Sequence, residues 1–302
     1  MKKRTTKLSV QYVPMFKQQN INLDGQVYNW AGDWIFRRER LELLDKQIIA
    51  VKPDVVLFQD LVFRDYSPSE SEFYILSASS LSDYSWHISK TNFLRLTEET
   101  ISTAVAAALP LRVDLLKSYG TKNFKNLNDN GGYLVASILK SPDGRIGVVS
   151  LDLRGNSSSG EVSYDGVVEA LAELVNSTGI CKERFIIAGV IPEDRIYNRD
   201  LDLISRLEMR DVAYGFCDEI SSCYTDTKDN RLFQITNSSS INGRSRRILV
   251  HQKAEVIASG RNLMEKQKWK KINDVYNLKS TPFSDRYGWL TTLNLPTCNN
   301  LN

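Results

Sequence analysis

Histidine is almost missing from this chain: of 302 residues only 2, His87 and His251, carry an imidazole. Imidazole is the side chain whose ordinary pKa lies closest to neutral pH, so its scarcity leaves few candidates for general acid–base work. Cysteine is also sparse. Cys181, Cys217, Cys223 and Cys298 show no CxxC spacing, which removes the usual signatures of zinc ribbons and thiol–disulfide enzymes. In a chain of this size they read as reduced thiols, and Cys217 and Cys223 become a redox pair only if residues 218–222 form a tight loop. No apolar run approaches the roughly 20 residues of a membrane span. The opening Met1-Lys2-Lys3-Arg4 runs directly into Lys7-Leu8-Ser9-Val10, without the apolar stretch of about 7–15 residues that a secretory signal needs. The cytoplasm is therefore the expected compartment. A net charge of +3 is too small to specify nucleic acid as a partner.

The sequence does have the composition of a packed α/β protein, with 42% hydrophobic and 25% charged residues. Residues 8–12 read as a strand. Between residues 34 and 51, Leu41, Leu44, Ile48 and Val51 recur at helical spacing beside Arg37, Arg38, Glu39 and Glu42, which predicts one buried face and one solvated face. Pro53 stops that helix, because its ring disfavours helical geometry at Lys52. The apolar run Val55-Val56-Leu57-Phe58 then predicts a buried strand reaching Gln59 and Asp60. A strand at 146–153, a Ser/Gly loop at 155–160, and a helix carrying Val167, Val168, Leu171, Leu174 and Val175 follow. Next come a strand at 185–189, a helix marked by Leu201, Ile204 and Leu207, and strands at 247–251, 255–259 and 289–293. Residues 225–245 read as a long polar loop, and the alanine-rich 104–109 as a short helix or a small buried strand. No linker divides the chain, so residues 1–302 are expected to form a single domain.

Five segments in this order carry a resemblance: 8–12, Lys52-Pro53-Asp54-Val55-Val56-Leu57-Phe58-Gln59-Asp60, 148–153, Ile186-Ile187-Ala188-Gly189, and Ser284-Asp285-Arg286. Their collinear arrangement is similar to the endonuclease/exonuclease/phosphatase family, which includes sphingomyelinases, inositol-phosphate phosphatases and apurinic endonucleases. The resemblance implies a two-sheet α/β sandwich flanked by helices, with loops at one edge that bind a divalent metal and a phosphoester. It also implies a particular chemistry. A carboxylate anchors the metal, a paired His and Asp handle the attacking water, and a second His and an Asn steady the transition state.

Residue by residue, much of that set is replaced. The Asn that ends the family's first strand is matched here by Val13 and Pro14 after Tyr12. The metal-binding Glu corresponds to Asp60, which keeps the charge on a shorter arm. A His before Leu is Asp152 before Leu153, an acceptor-only anion where a switchable donor is needed. The Gly-Asp-x-Asn turn falls on Gly189-Val190-Ile191-Pro192, with Asp194 displaced along the chain. The terminal Ser-Asp-His appears as Ser284-Asp285-Arg286, and a guanidinium does not deprotonate water.

The resulting expectation is a pseudoenzyme: a binding or scaffolding protein for an unidentified protein or small molecule, with Asp60, Asp152, Asp285 and Arg286 around one cleft and no cofactor. The alternative is a divergent active phosphodiesterase or sphingomyelinase-like hydrolase, in which Asp60 binds Mg2+ or Mn2+. A third reading is an adaptor that meets anionic surfaces through Arg244, Arg246, Arg247, Lys268, Lys270 and Lys271. His87 is expected in a half-buried strand, and His251 in a structural role.

Overall fold

A computed structural model describes residues 5–15, 19–23, 26–30, 37–64, 71–96, 99–110, 115–120, 133–141, 143–152, 164–190, 207–213, 215–217, 220–225, 246–262, 267–268, 280–281, 284 and 287–298. In chain order the elements are β1 (Thr5–Pro14), β2 (Gln19–Leu23), β3 (Gln26–Trp30), α1 (Arg37–Val51), β4 (Val55–Arg64), α2 (Glu72–Ser77), β5 (Tyr84–Leu96), β6 (Glu99–Pro110), β7 (Leu115–Gly120) and β8 (Tyr133–Ser141). They continue with β9 (Gly144–Asp152), α3 (Tyr164–Thr178), β10 (Phe185–Val190), β11 (Met209–Asp211), β12 (Arg246–His251), β13 (Glu255–Asn262), β14 (Gln267–Lys268), β15 (Ser280–Thr281) and β16 (Gly288–Pro296).

Two six-stranded sheets dominate, ordered β13-β16-β1-β4-β6-β5 and β11-β12-β10-β9-β8-β7. Each has one parallel pair near its middle, β1 with β4 and β9 with β10, while the remaining pairs are antiparallel. A parallel neighbour requires a crossover, and the helices supply it: α1 lies between β1 and β4 in the chain, and α3 between β9 and β10. The two-sheet α/β sandwich expected from the sequence is thus the observed architecture.

Alternation along the strands sorts the side chains into layers. Leu8, Val10, Tyr12, Val55 and Leu57 of the first sheet meet Val148, Ile186, Ala188, Ile248 and Val250 of the second in a shared inner core. On the outer face of the first sheet, Val56, Phe58, Ala106 and Ala108 pack against Leu41, Leu44 and Ile48 of α1 and Leu76 of α2. On the outer face of the second, Val149, Leu151 and Ile187 pack against Leu171 and Leu174 of α3. The alanine-rich 104–109 segment is therefore strand, within β6, and small side chains suit a position covered on both faces. Helix α1 ends as Pro53 dictates, with Lys52 turned into the left-handed region at φ 47°. Helix α3 ends at Gly179, whose φ of 62° suits a residue without Cβ.

The cysteines depart from expectation: they are paired, Cys181 with Cys298 and Cys217 with Cys223, and none is free. The first pair is separated by 117 residues and was invisible to spacing rules. The second forms because the short 3-10 turn Ile220–Cys223 brings Cys223 back toward Cys217. Most of the helix expected around Leu201 and Ile204, and the loops at 155–160 and 226–245, lie outside the described residues. No described helix is long and apolar enough to cross a membrane.

Candidate functional site at the strand ends

The parallel strands β1 and β4 run side by side, so their C-terminal ends share one edge of the first sheet, with Pro14 opposite Gln59. The Met15 amide donates to the Gln59 carbonyl at 2.9 Å, extending that contact beyond the strand. On the inner face, the Tyr12 hydroxyl donates to Gln59 Oε1, and Gln59 Nε2 is buried with no hydrogen-bond partner among the described residues. Val13, which occupies the position where the resembled family has an amide, is fully buried in the outer core.

Asp60 follows at φ 57°, in the left-handed region, which Asp enters more readily than most residues with a Cβ. Pairing between β4 and β6 shifts register between Phe58 and Leu61, so Asp60 sits in a β-bulge rather than in regular alternation. Its side chain is only 5% exposed and is engaged within the protein. Beside the bulge, the Ser150 hydroxyl of β9 donates to the Phe58 carbonyl at 3.0 Å, fastening the second sheet to the first. The sequence reading missed Ser150. Its signal was a lone hydroxyl at an inward position in the apolar run of β9.

In the second sheet, backbone pairing places Asp152 opposite Val190, and Val190 opposite Arg246. The ends of β9 and β10 and the start of β12 therefore share one edge. Gly189 precedes Val190 where backbones crowd: a Cβ there would fall 1.9 Å from the Leu151 carbonyl oxygen. The adaptor reading needs Arg246 and Arg247 on the surface, and the structure corrects this, since they are only 3% and 2% exposed. Arg247 instead donates to Asp211 at 2.9 Å. Strand alternation explains the difference, because every residue of β12 is covered on one face or the other. Of the remaining expected site residues, Asp152 and Lys268 are described only as backbone positions in β9 and β14. Asp285, Arg286, Arg244, Lys270 and Lys271 lie outside the described residues.

Neither histidine stands at this edge. His251 ends β12, five residues and about 17 Å along the strand from Arg246. It is fully buried, accepts the Lys253 amide at Nδ1 (3.1 Å), and places Nε2 3.3 Å from Glu208. Burial holds its pKa below the ordinary histidine value, against the opposing pull of Glu183 and Glu208. His87 lies on edge strand β5, opposite Ala107, which in turn pairs with Leu57. It is therefore two strands away from β4 and two residues short of the level of Gln59. Burial lowers its pKa as well.

With the side chains of Asp152 and Asp285 outside the description, the described donors alone do not complete a divalent-metal site. At this edge they amount to the Asp60 carboxylate and the Gln59 amide, and no group of three or more His, Cys, Asp or Glu able to hold a metal occurs among the described residues. A magnesium ion demands octahedral oxygen coordination.

No family model and no curated protein matches the chain in sequence. Solved structures do match. An endonuclease/exonuclease/phosphatase family protein from Bacteroides thetaiotaomicron superposes with TM-score 0.63 at 13% identity, covering 97% of this chain and 99% of that one. A mannosyl-6-phosphatase from the same organism gives 0.61 at 13% identity, covering 95% and 99%. Truncated TDP2 of Caenorhabditis elegans gives 0.58 at 13% identity, covering 95% and 97%. These matches extend over nearly the whole of each chain, and they establish that this protein has the endonuclease/exonuclease/phosphatase fold.

Proposed function

We propose that the protein is a pseudoenzyme: a non-catalytic binding protein that keeps a phosphoesterase fold and uses the strand-end edge to hold a small molecule or a protein partner. The observation that carries this is the placement of its imidazoles. Hydrolysis on this scaffold needs a group that takes a proton from water near neutral pH. The two histidines are spent elsewhere, His251 buried at the far end of β12 and His87 on edge strand β5. Val13 and Val190 at strand ends support the same reading, because neither replaces the hydrogen-bonding group that the resembled family has there. Asp60, with Asp152, Asp285 and Arg286, is the proposed ligand-facing set.

One observation favours an alternative. The β-bulge that carries Asp60 suits a divergent hydrolase using Mg2+ or Mn2+, because bulges re-aim side chains beside active sites. Incubating the purified protein with a generic phosphodiester and either ion separates the readings. The pseudoenzyme reading expects no turnover above buffer. Turnover that disappears in Asp60→Ala and Asp285→Ala would overturn it.

A further inference from the structure

The end of the sandwich opposite the candidate site is closed by a polar clasp centred on Arg184, and a disulfide lies directly beside it. Arg184 is fully buried at the entry to β10. Its Nε donates to the Arg145 carbonyl (2.8 Å), Nη1 to the Pro296 carbonyl (2.7 Å), and Nη2 to the Thr6 and Ser141 hydroxyls (2.9 and 3.0 Å). One guanidinium thus joins β1 and β16 of the first sheet to β8 and β9 of the second. Cys181 precedes the 3-10 turn Lys182–Arg184 that presents this guanidinium, and Cys298 lies two residues beyond Pro296. The bridge therefore ties both sides of the Arg184–Pro296 contact.

We propose that Cys181–Cys298 is a redox-sensitive strap, which holds the end of β16 against the Arg184 clasp in an oxidising environment and releases it on reduction. The Cα atoms are 5.8 Å apart, within the roughly 4.4–6.8 Å that an unforced bridge spans. Both cysteines are partly exposed, so a small thiol can reach them. Cys217–Cys223 is the internal contrast: Cys223 is buried in the inner core and Cys217 packs against it. Cys217 is partly exposed as well, so the ranking rests on Cys223: both sulfurs of the strap are open to a small thiol and only one of the inner bridge, and the strap is reduced first. Opening it transfers two electrons and two protons from a dithiol reductant, which itself becomes a disulfide, and leaves two thiols on the protein. Closing it reverses the transfer, with a small-molecule disulfide such as oxidised glutathione as the acceptor.

The test is a graded dithiothreitol titration of the full-length oxidised protein, with thiols alkylated and located by mass spectrometry. Cys181 and Cys298 should become alkylated at lower reductant than Cys217 and Cys223. In the same step Tm should fall by roughly 4–8 °C, as expected for losing a bridge across a long loop. Hydrogen exchange should rise over residues 290–296 and stay unchanged in α3. Cys298→Ser should reproduce the reduced behaviour without reductant, and if that variant does not accumulate, the titration of the unaltered chain decides alone. Free thiols at 181 and 298 in protein oxidised with glutathione disulfide, or reduction of that bridge with Tm and exchange unchanged, would overturn the proposal.

Discussion

The two ends of the sandwich are held together by different physics. At the closed end, charged and polar side chains cross between the sheets. Arg184 reaches four partners across the two sheets, and within the first sheet Ser9 and Asp54 bond reciprocally, with both Ser9 donors 2.7 Å from the Asp54 carboxylate and the Asp54 amide 2.9 Å from the Ser9 hydroxyl. At the strand-end edge one hydroxyl crosses between the sheets, from Ser150 to the Phe58 carbonyl, and the other contacts are backbone within each sheet: the Met15 amide meets the Gln59 carbonyl, and Gly189 lies against Leu151. An end stitched by side chains tolerates little loss of polarity. An end where backbones touch tolerates little gain of volume.

Substitutions can break that contrast directly. The largest effect is expected from Gly189→Ala, because the added methyl meets a carbonyl oxygen that cannot swing aside. Displacing two central strands should cost about 3 kcal/mol or more, read as a fall in the urea midpoint. Arg184→Ala should cost about 3 kcal/mol by the opposite route, since it leaves two carbonyls and two hydroxyls at the closed end without their donor. Arg184→Lys should recover only part of this, because an ammonium does not span the fork. Ser150→Ala, which removes a single neutral bond at the other edge, should cost about 1 kcal/mol by the same measurement.

The gentlest probe is pH. Burial holds the pKa of both histidines below the ordinary value, so as pH falls through about 6.5 the unfolded chain takes up protons first. The stability from their neutral burial is complete above that pH and declines below it. Urea midpoints between about pH 7.5 and pH 5.5 should fall with acidification, and His251→Leu should flatten the slope even where it lowers the baseline.

What could be read from sequence followed how local each cause is. Helix α1 was legible because Leu41, Leu44 and Ile48 share a face and Pro53 punctuates its end. The buried strands β4, β9 and β10 were legible as apolar runs between polar boundaries. The alanines of β6 were ambiguous, since alanine favours helix in isolation and only the packing of α1 and the second sheet decides otherwise. At the site, Asp60 was identifiable from its place after Gln59, but its bulge was not, because the register shift arises from β6, some forty residues downstream. Arg246 and Arg247 looked like a basic surface cluster for the same reason: charge is visible in sequence, while burial in β12 depends on β10 and β11.

The pairing of β1 with β16, Thr5 opposite Pro296, has a consequence for how the molecule comes into being. On the ribosome β1 emerges long before its antiparallel neighbour β16 is made. Until then β1 presents an open hydrogen-bonding rim, although β4 is already available on its other flank. Loop closure over that separation is slow, so the nascent first sheet stays vulnerable to strand-mediated aggregation, and shielding by a chaperone would matter most there.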